Sequence, residues 1–299
     1  MRLNEVGEFG FIKRIATHGK CDSSVKKGIG DDCAVIAYKR GSYLLFTCDM
    51  LLEGVDFRSN DDPYLIGRKA LACSISDIAA CGGSPRYALV SLGIPSRMRL
   101  SEAEGLYRGI YKLAEGYGIN IVGGDTSGSR SLVIDISMLG EVKKEHLVLR
   151  NGARAGDIIF VSGALGGTIH GKHLTFEPRL RESRYLVRNF KVNAMIDISD
   201  GLIQDLGHIL CQSKKGAFLF EQLIPRSPCS ASLKDALCAG EDFELLFTMS
   251  HSWARRLCRQ ARFPFYPIGE IVPPAYGLRL LDKNARLIDI RGFKGYRHF

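Results

Sequence analysis

Long apolar runs are missing from this 299-residue chain. Its most apolar stretches, such as Asp157-Ile-Ile-Phe-Val, fall far short of the roughly 20 residues a membrane helix needs. No membrane span is therefore expected. The opening residues, Met1-Arg-Leu-Asn-Glu-Val-Gly-Glu, contain no apolar core of a secretory signal. The nine cysteines are odd in number and include no Cys-x-x-Cys pair, which argues against a disulfide framework or a zinc-finger site. Reduced thiols in a cytoplasmic protein are the expectation, most of them packed as small apolar groups. Charged residues make up 24% and hydrophobic residues 45%, ordinary globular usage that excludes a disordered or collagenous chain.

What is present is a net charge of +9 and enough length for two domains, each able to bury its own core. The positive balance suits nucleic acid or a phosphorylated small molecule. It is densest in Arg179-x-Arg181-x-x-Arg184-x-x-x-Arg188 and in Arg255-Arg256-x-x-Arg259-x-x-Arg262, the latter on an amphipathic helix with Trp253 and Leu257. A solvated helix face explains such runs most simply. No RNA-binding aromatic signature accompanies them, so nucleic acid is not an expected partner.

Short apolar strands are expected at Tyr43–Cys48, Tyr87–Ile94, Ile119–Val122, Leu132–Val142, Ile158–Ser162, Ala217–Phe220 and Phe243–Thr248. Ser101 and Glu104 read as a capping box opening a helix that Gly116 and Gly118 stop. A second helix spans Gly201–Cys211, with Leu202, Leu206, Ile209 and Leu210 inward. Strands and helices do not alternate strictly, which points to two α/β sandwiches and not one doubly wound sheet. The polar break Lys143-Lys144-Glu145 marks the expected boundary.

The most informative feature is a set of Asp residues in Gly-rich or small-residue surroundings. They are Gly28-Ile-Gly-Asp31-Asp32, Thr47-Cys48-Asp49, Ser76-Asp77, Gly123-Gly124-Asp125-Thr126 and Asp197-Ile-Ser199-Asp200-Gly201. Asp49 and Asp125 each follow an apolar strand, and loops at strand ends converge to build sites. Carboxylates brought together repel unless hard cations neutralise them, and Mg²⁺ takes such oxygen ligands alongside substrate phosphates. Neighbouring glycines let phosphates approach the backbone. Any one pair is explained as well by a turn; five in a basic chain are not. Gly166–His173 also matches G-x-x-x-x-G-K, but His173 stands where a phosphate loop needs Ser or Thr, which breaks that motif. His170 and His173 share a helical spacing without an apparent third metal ligand.

At these segments the chain resembles the thiamine-monophosphate kinase family, within the aminoimidazole ribonucleotide synthetase superfamily. Matching stretches include Gly28-Ile-Gly-Asp-Asp-Cys-Ala-Val, Thr47 to Phe57, Lys69 to Pro85, Val122-Gly-Gly-Asp-Thr, Arg150 to Asp157, Asp197 to Leu206, Gly240 to Phe247 and Gly295-Tyr-Arg-His-Phe. They keep the family order nearly end to end. The resemblance implies an α/β (α+β) fold of two sandwiches, with residues 1–144 as an ATP- and Mg²⁺-binding and dimerisation domain and 145–299 as a C-terminal domain. It implies ATP-dependent conversion of thiamine phosphate to thiamine diphosphate in a homodimer. By position, Asp32, Thr47, Cys48 (through its carbonyl), Asp49, Asp77, Asp125, Asp197 and Asp200 would hold several Mg²⁺ ions. Tyr107, Gly124, Asp125, Arg150 and Ser199 would hold ATP, and Asp56, Glu241 and Tyr296 would face the substrate. No acid–base residue is implied; Asp49, Asp125 and Asp200 would act through metal.

Three departures from the family pattern stand out. Asp56 replaces the usual His, Cys48 replaces Thr or Ser, and the stretch from Gly167 to Asn193 is short. A selenide-handling relative would carry a reactive Cys motif that Cys21 does not match, and a carbamoyl-handling relative would end in Cys, whereas this chain ends Arg297-His298-Phe299.

Overall fold

The computed structural model describes residues 2–290 and 292–296. The first sheet contains β1 (Val25–Lys27), β2 (Ala34–Ala37), β3 (Ser42–Leu52), β4 (Ser84–Pro95), β5 (Asn120–Ser129) and β6 (Val133–Lys143), in the order β1-β2-β3-β6-β4-β5. β4 and β5 are parallel and the other neighbours antiparallel. On β6, Ile134, Ile136 and Met138 alternate into the core with no exposure.

Helices α1 (Leu3–Val6) and α2 (Glu8–Ala16) precede the sheet. One of its faces is covered by α3 (Pro63–Ala80) and α4 (Leu100–Tyr117). The two helices approach closely: a Cβ on Gly109 of α4 would lie 1.9 Å from the Tyr64 carbonyl oxygen of α3. α3 was not evident from sequence periodicity because it is buried on nearly every side, from Ile66 to Ala80. α4 begins one residue before the expected cap. Arg99 is its N-cap, and Glu102 accepts the Arg99 backbone N–H at 2.8 Å, so Ser101 and Glu104 do not form the box. Gly118 ends it in the left-handed region at φ 68°, the conformation glycine adopts most cheaply.

The second sheet contains β7 (Asp157–Val161), β8 (Ala194–Asp197), β9 (Gly216–Phe220), β10 (Leu245–Ser250), β11 (Tyr266–Val272), β12 (Leu278–Leu281) and β13 (Leu287–Ile288). Their order is β13-β12-β9-β11-β7-β10-β8. β10 starts two residues later than expected, because Glu241 (φ 56°) and Phe243 (φ 50°) are left-handed and cannot continue an extended strand. The remaining helices are α5 (Lys172–Thr175), α6 (Leu180–Asn189), α7 (Leu202–Ser213), α8 (Leu233–Cys238) and α9 (His251–Gln260). Leu202, Leu206, Ile209 and Leu210 of α7 are buried, as the pattern required.

The short 167–193 stretch ties the two halves together. Leu174, Phe176 and Leu180 enter the first core, where Phe176 stacks on Phe243 with ring centroids 4.0 Å apart. Arg68 of α3 donates to the Phe176 carbonyl at 2.7 Å, and Ser183 donates to the Ala79 carbonyl at 2.5 Å.

Candidate active site

The site begins where β3 outruns its neighbour. β2 pairs only as far as Phe46, so among the described residues Thr47–Leu52 have β6 on one edge and no strand on the other. Strand alternation puts Thr47 and Asp49 on the helix side with buried Leu45 and Leu51. α3 faces them. Lys69, Cys73, Ser76 and Asp77 lie on one side of this helix at spacings of four, three and one.

Three of the carboxylates are each held by a hydroxyl from an adjoining element. Ser74 donates to Asp49 at 2.8 Å, Ser76 donates to Asp197 at 2.6 Å, and Thr47 donates to Asp77. Asp197 ends β8, and Asp32 comes from the loop before β2. Carboxylate oxygens of Asp32, Asp77 and Asp197 lie within 4.8 Å of one another. Arg150 balances part of this charge through a forked contact with Asp32 Oδ1, 2.7 Å from Nη2 and 3.2 Å from Nε. Its backbone N–H donates to Asp31 at 3.2 Å. Asp32 Oδ2 is buried with no hydrogen-bond partner among the described residues.

Burial and mutual repulsion raise the carboxyl pKa values. Burial first, then the charges of Asp135 and Asp32, lift Asp49 to about 6. Burial and Asp32 lift Asp197 to about 7. Asp77 is pushed well above the carboxylate range by burial and by Asp49 and Asp197. Burial opposes the charge of Arg150, but Asp32 and Asp31 outweigh it and keep the guanidinium firmly protonated. Several oxygens thus converge with too little positive charge. An orphaned buried oxygen among them fits a hard divalent cation.

Beside the cluster lies a cleft of about 330 Å³ lined by Asp49, Asp56, Lys69, Ser199, Asp200, Glu241 and Tyr296. Lys69, 1% exposed, pairs with Glu241 and donates to the Asp56 carbonyl at 2.5 Å. The Asp56 carboxylate accepts the Leu52 N–H at 2.7 Å and so shapes its own turn. Glu241 N–H donates to the Ser199 carbonyl at 2.7 Å, and Tyr296 N–H to the Asp200 carbonyl at 3.0 Å. Gln204 donates to both the Asp200 carboxylate and the Tyr296 carbonyl. These contacts hold Tyr296 against the Ser199–Asp200 loop.

The structure therefore gathers Asp32, Thr47, Asp49, Asp77, Arg150 and Asp197 into one cluster, and lines the adjacent cleft with Asp56, Ser199, Asp200, Glu241 and Tyr296. Asp125, Gly124 and Tyr107 lie apart from it in this single chain. Asp125 registers across the sheet with Ser91, Asp135 and Met50, three strand spacings or about 14 Å from β3. Gly124 also has a packing reason, since its Cβ would lie 1.7 Å from the Val90 carbonyl oxygen. The Cys48 side chain points to the opposite, exposed face, where its thiol lies 3.0 Å from Asp135. Residues given no role from sequence are Lys69, Ser74 and Ser76. A lysine within the apolar run Lys69-Ala-Leu-Ala-Cys was the legible sign of the first.

The broken phosphate motif is structural. Lys172 pairs with buried Glu244 at 3.1 Å and reaches the Ala164 carbonyl at 3.2 Å. His173 is buried with Nδ1 2.9 Å from the Thr168 carbonyl, and His170 is exposed, so neither motif forms a site.

Comparison with known proteins follows the same lines. The family model "AIR synthase related protein, N-terminal domain" matches residues 30–142. The thiamine-monophosphate kinase of Bacillus subtilis is 34% identical over 98% of this chain and 99% of its own. That of Aquifex aeolicus is 36% identical over 83% of this chain and 87% of its own. The solved structure described as AaThiL complexed with AMPPCP and TMP superposes with a TM-score of 0.86 at 30% identity, covering 100% of this chain and 99% of that one. HypE in complex with ATP, 19% identical with a TM-score of 0.70 over 95% of this chain and 96% of its own, shares the fold. With its acidic cluster, its cleft and relatives matched end to end, the chain belongs to the thiamine-monophosphate kinase family.

Proposed function

We propose that this site transfers the γ-phosphoryl group of ATP directly to the phosphate of thiamine monophosphate, the last step in forming thiamine diphosphate. The observation that carries this reading is the partnerless, buried Asp32 oxygen among converging carboxylates, beside a cleft of substrate size. Asp32, Asp49, Asp77, Asp197 and Asp200, with Thr47 and the Cys48 carbonyl, would hold several Mg²⁺ ions. Bound Mg²⁺ would offset the charge of acceptor and donor phosphates.

The protein's own groups set the geometry. Ser74, Ser76 and Thr47 orient the carboxylates, and Arg150 and Ser199 would receive ATP phosphates. Glu241, Asp56 and Tyr296 line the cleft that would take the thiamine part, whose thiazolium is cationic. No general base is needed, because a phosphate monoester with its second pKa near 6 is mostly ionised at neutral pH.

Asp125, Gly124 and Tyr107 enter this scheme through a homodimer. The sheet face away from α3 exposes Phe46, Met50, Tyr87, Leu89 and Val122, each more than 40% accessible. An apolar patch of this kind suits a second copy. Asp125 registers with Met50 and Ser91 on that face, so a second copy seated there would bring its own Asp125 toward the cluster. The nine free thiols are in keeping with a cytoplasmic setting.

The test is Mn²⁺ binding measured by equilibrium dialysis with and without a non-hydrolysable ATP analogue. Asp32→Asn and Asp77→Asn are expected to lose bound Mn²⁺ with unchanged circular dichroism. Full retention in both variants would remove the metal cluster from the mechanism.

A further inference from the structure

The basic run that starts at Arg179 is not absorbed by the proposed site, and its arginines divide. Arg179 turns inward to Glu244, 2.6 Å away. Arg184 and Arg188, one helical turn apart on α6, line a separate cleft of about 620 Å³ together with Lys39, Arg86 and Lys143. That cleft forms where β3 and β4 begin and β6 ends. Its wall residue Ser42 lies seven residues back along β3 from Asp49, about 23 Å at ~3.3 Å per residue.

Positive charge in this cleft is incompletely compensated. Lys39 and Arg86 share Glu141, and among the described residues Lys143 reaches only Glu145, at 3.8 Å. Among the described residues neither Arg184 nor Arg188 has a carboxylate within ion-pair distance, and Arg184 Nε is buried without a hydrogen-bond partner. Burial and the charges of Arg188 and Arg86 lower the Arg184 pKa. Burial, Lys143 and Arg188 together outweigh Glu145 and lower that of His146, which also lines the cleft.

We propose that this cleft binds a multiply charged, phosphorylated small molecule. Guanidinium forks match phosphate oxygens, and several converging cations call for several negative charges in a compact ligand. The volume is that of a small-molecule site. A nucleic acid would need a continuous basic stripe, and the inward turn of Arg179 interrupts this one.

The test is calorimetric titration with inorganic pyrophosphate in EDTA, which withholds divalent cations from the carboxylate cluster. The proteins compared are the wild type, the double variant Arg184→Gln/Arg188→Gln, and Arg188→Gln alone in case the double variant folds poorly. The wild type is expected to bind. The Arg188→Gln variant is expected to bind about tenfold more weakly, the worth of one charged hydrogen bond, and the double variant more weakly still. No binding by the wild type, or unchanged binding by a folded double variant, overturns the proposal. Tighter binding of a single-stranded oligonucleotide, with the same arginine dependence, also overturns it in favour of a nucleic-acid surface. Each result is independent of whether the chain is a kinase.

Discussion

A lysine ammonium that is 1% exposed needs partners for its charge, and Lys69 has Glu241 and the Asp56 carbonyl. Removing it leaves Glu241 unopposed and frees the 52–56 turn. Lys69→Met is therefore expected to raise the KM for thiamine phosphate about tenfold or more while the KM for ATP stays within a few-fold. Steady-state kinetics in both substrates check this; equal shifts would mean general collapse of the site. Asp49 makes a second case. Its carboxyl, raised to about 6, is ionised at pH 7.5 at a cost to the fold. Asp49→Asn is expected to lower kcat at least 100-fold, of the order lost with a key electrostatic group. The metal-free melting temperature should hold or rise. A fall in melting temperature would show that the charge supports the fold. Lys172→Ala should do the reverse: it strips a partner from buried Glu244, so stability falls while ATP affinity stays within a few-fold.

Among the elements, α3 carries most of the site. It supplies Lys69, Ser74, Ser76 and Asp77, and it is the helix whose pattern was least readable, because burial on all sides erases the polar face. Strands were easier to place. Alternation along β6 marked the core face directly, and α7 showed its inward leucines. Tertiary backbone geometry was not legible: the left-handed Glu241 and Phe243 shorten β10, and Arg99 displaces the Ser101 cap. The close approach of α3 and α4 gives a direct test. Gly109→Ala forces a Cβ against the Tyr64 carbonyl and should cost about 1–3 kcal/mol, read as a lower midpoint in denaturant. An unchanged midpoint would mean the helices can separate freely.

At the scale of the whole molecule, four of the five acidic segments identified from sequence, those of Asp32, Asp49, Asp77 and Asp197, come from both halves of the chain and meet between the two sheets. Five of the sequence's metal candidates, Asp32, Thr47, Asp49, Asp77 and Asp197, were recognisable as a set from their small-residue surroundings, although Thr47 and Asp49 lie within β3 and Asp77 within α3, and only Asp197 ends a strand. Lys69 and the orienting serines were not, since their roles depend on which side of a buried helix faces the cluster. Asp125 stays across the sheet, which bears on assembly. Mixed dimers of Asp49→Asn and Asp125→Asn chains are expected to recover about a quarter of wild-type turnover, since half the dimers would keep one intact site. No recovery would place each site within one chain.

The same cluster sets the pH behaviour. Asp49 and Asp197 are raised to about 6 and about 7, so the metal-free fold holds more protons than the unfolded chain. Its stability falls as pH rises from about 4 to about 7. Melting in EDTA should therefore drop by at least about 2 °C between pH 5 and pH 7.5, roughly what 1 kcal/mol produces in a chain of this size. Mg²⁺ should reverse the trend. The central claim is tested most directly by incubating the purified protein with ATP, Mg²⁺ and thiamine monophosphate and quantifying both products. Thiamine diphosphate and ADP should appear in equal amounts, and only with the divalent cation present. ADP without thiamine diphosphate, or neither product, would contradict it.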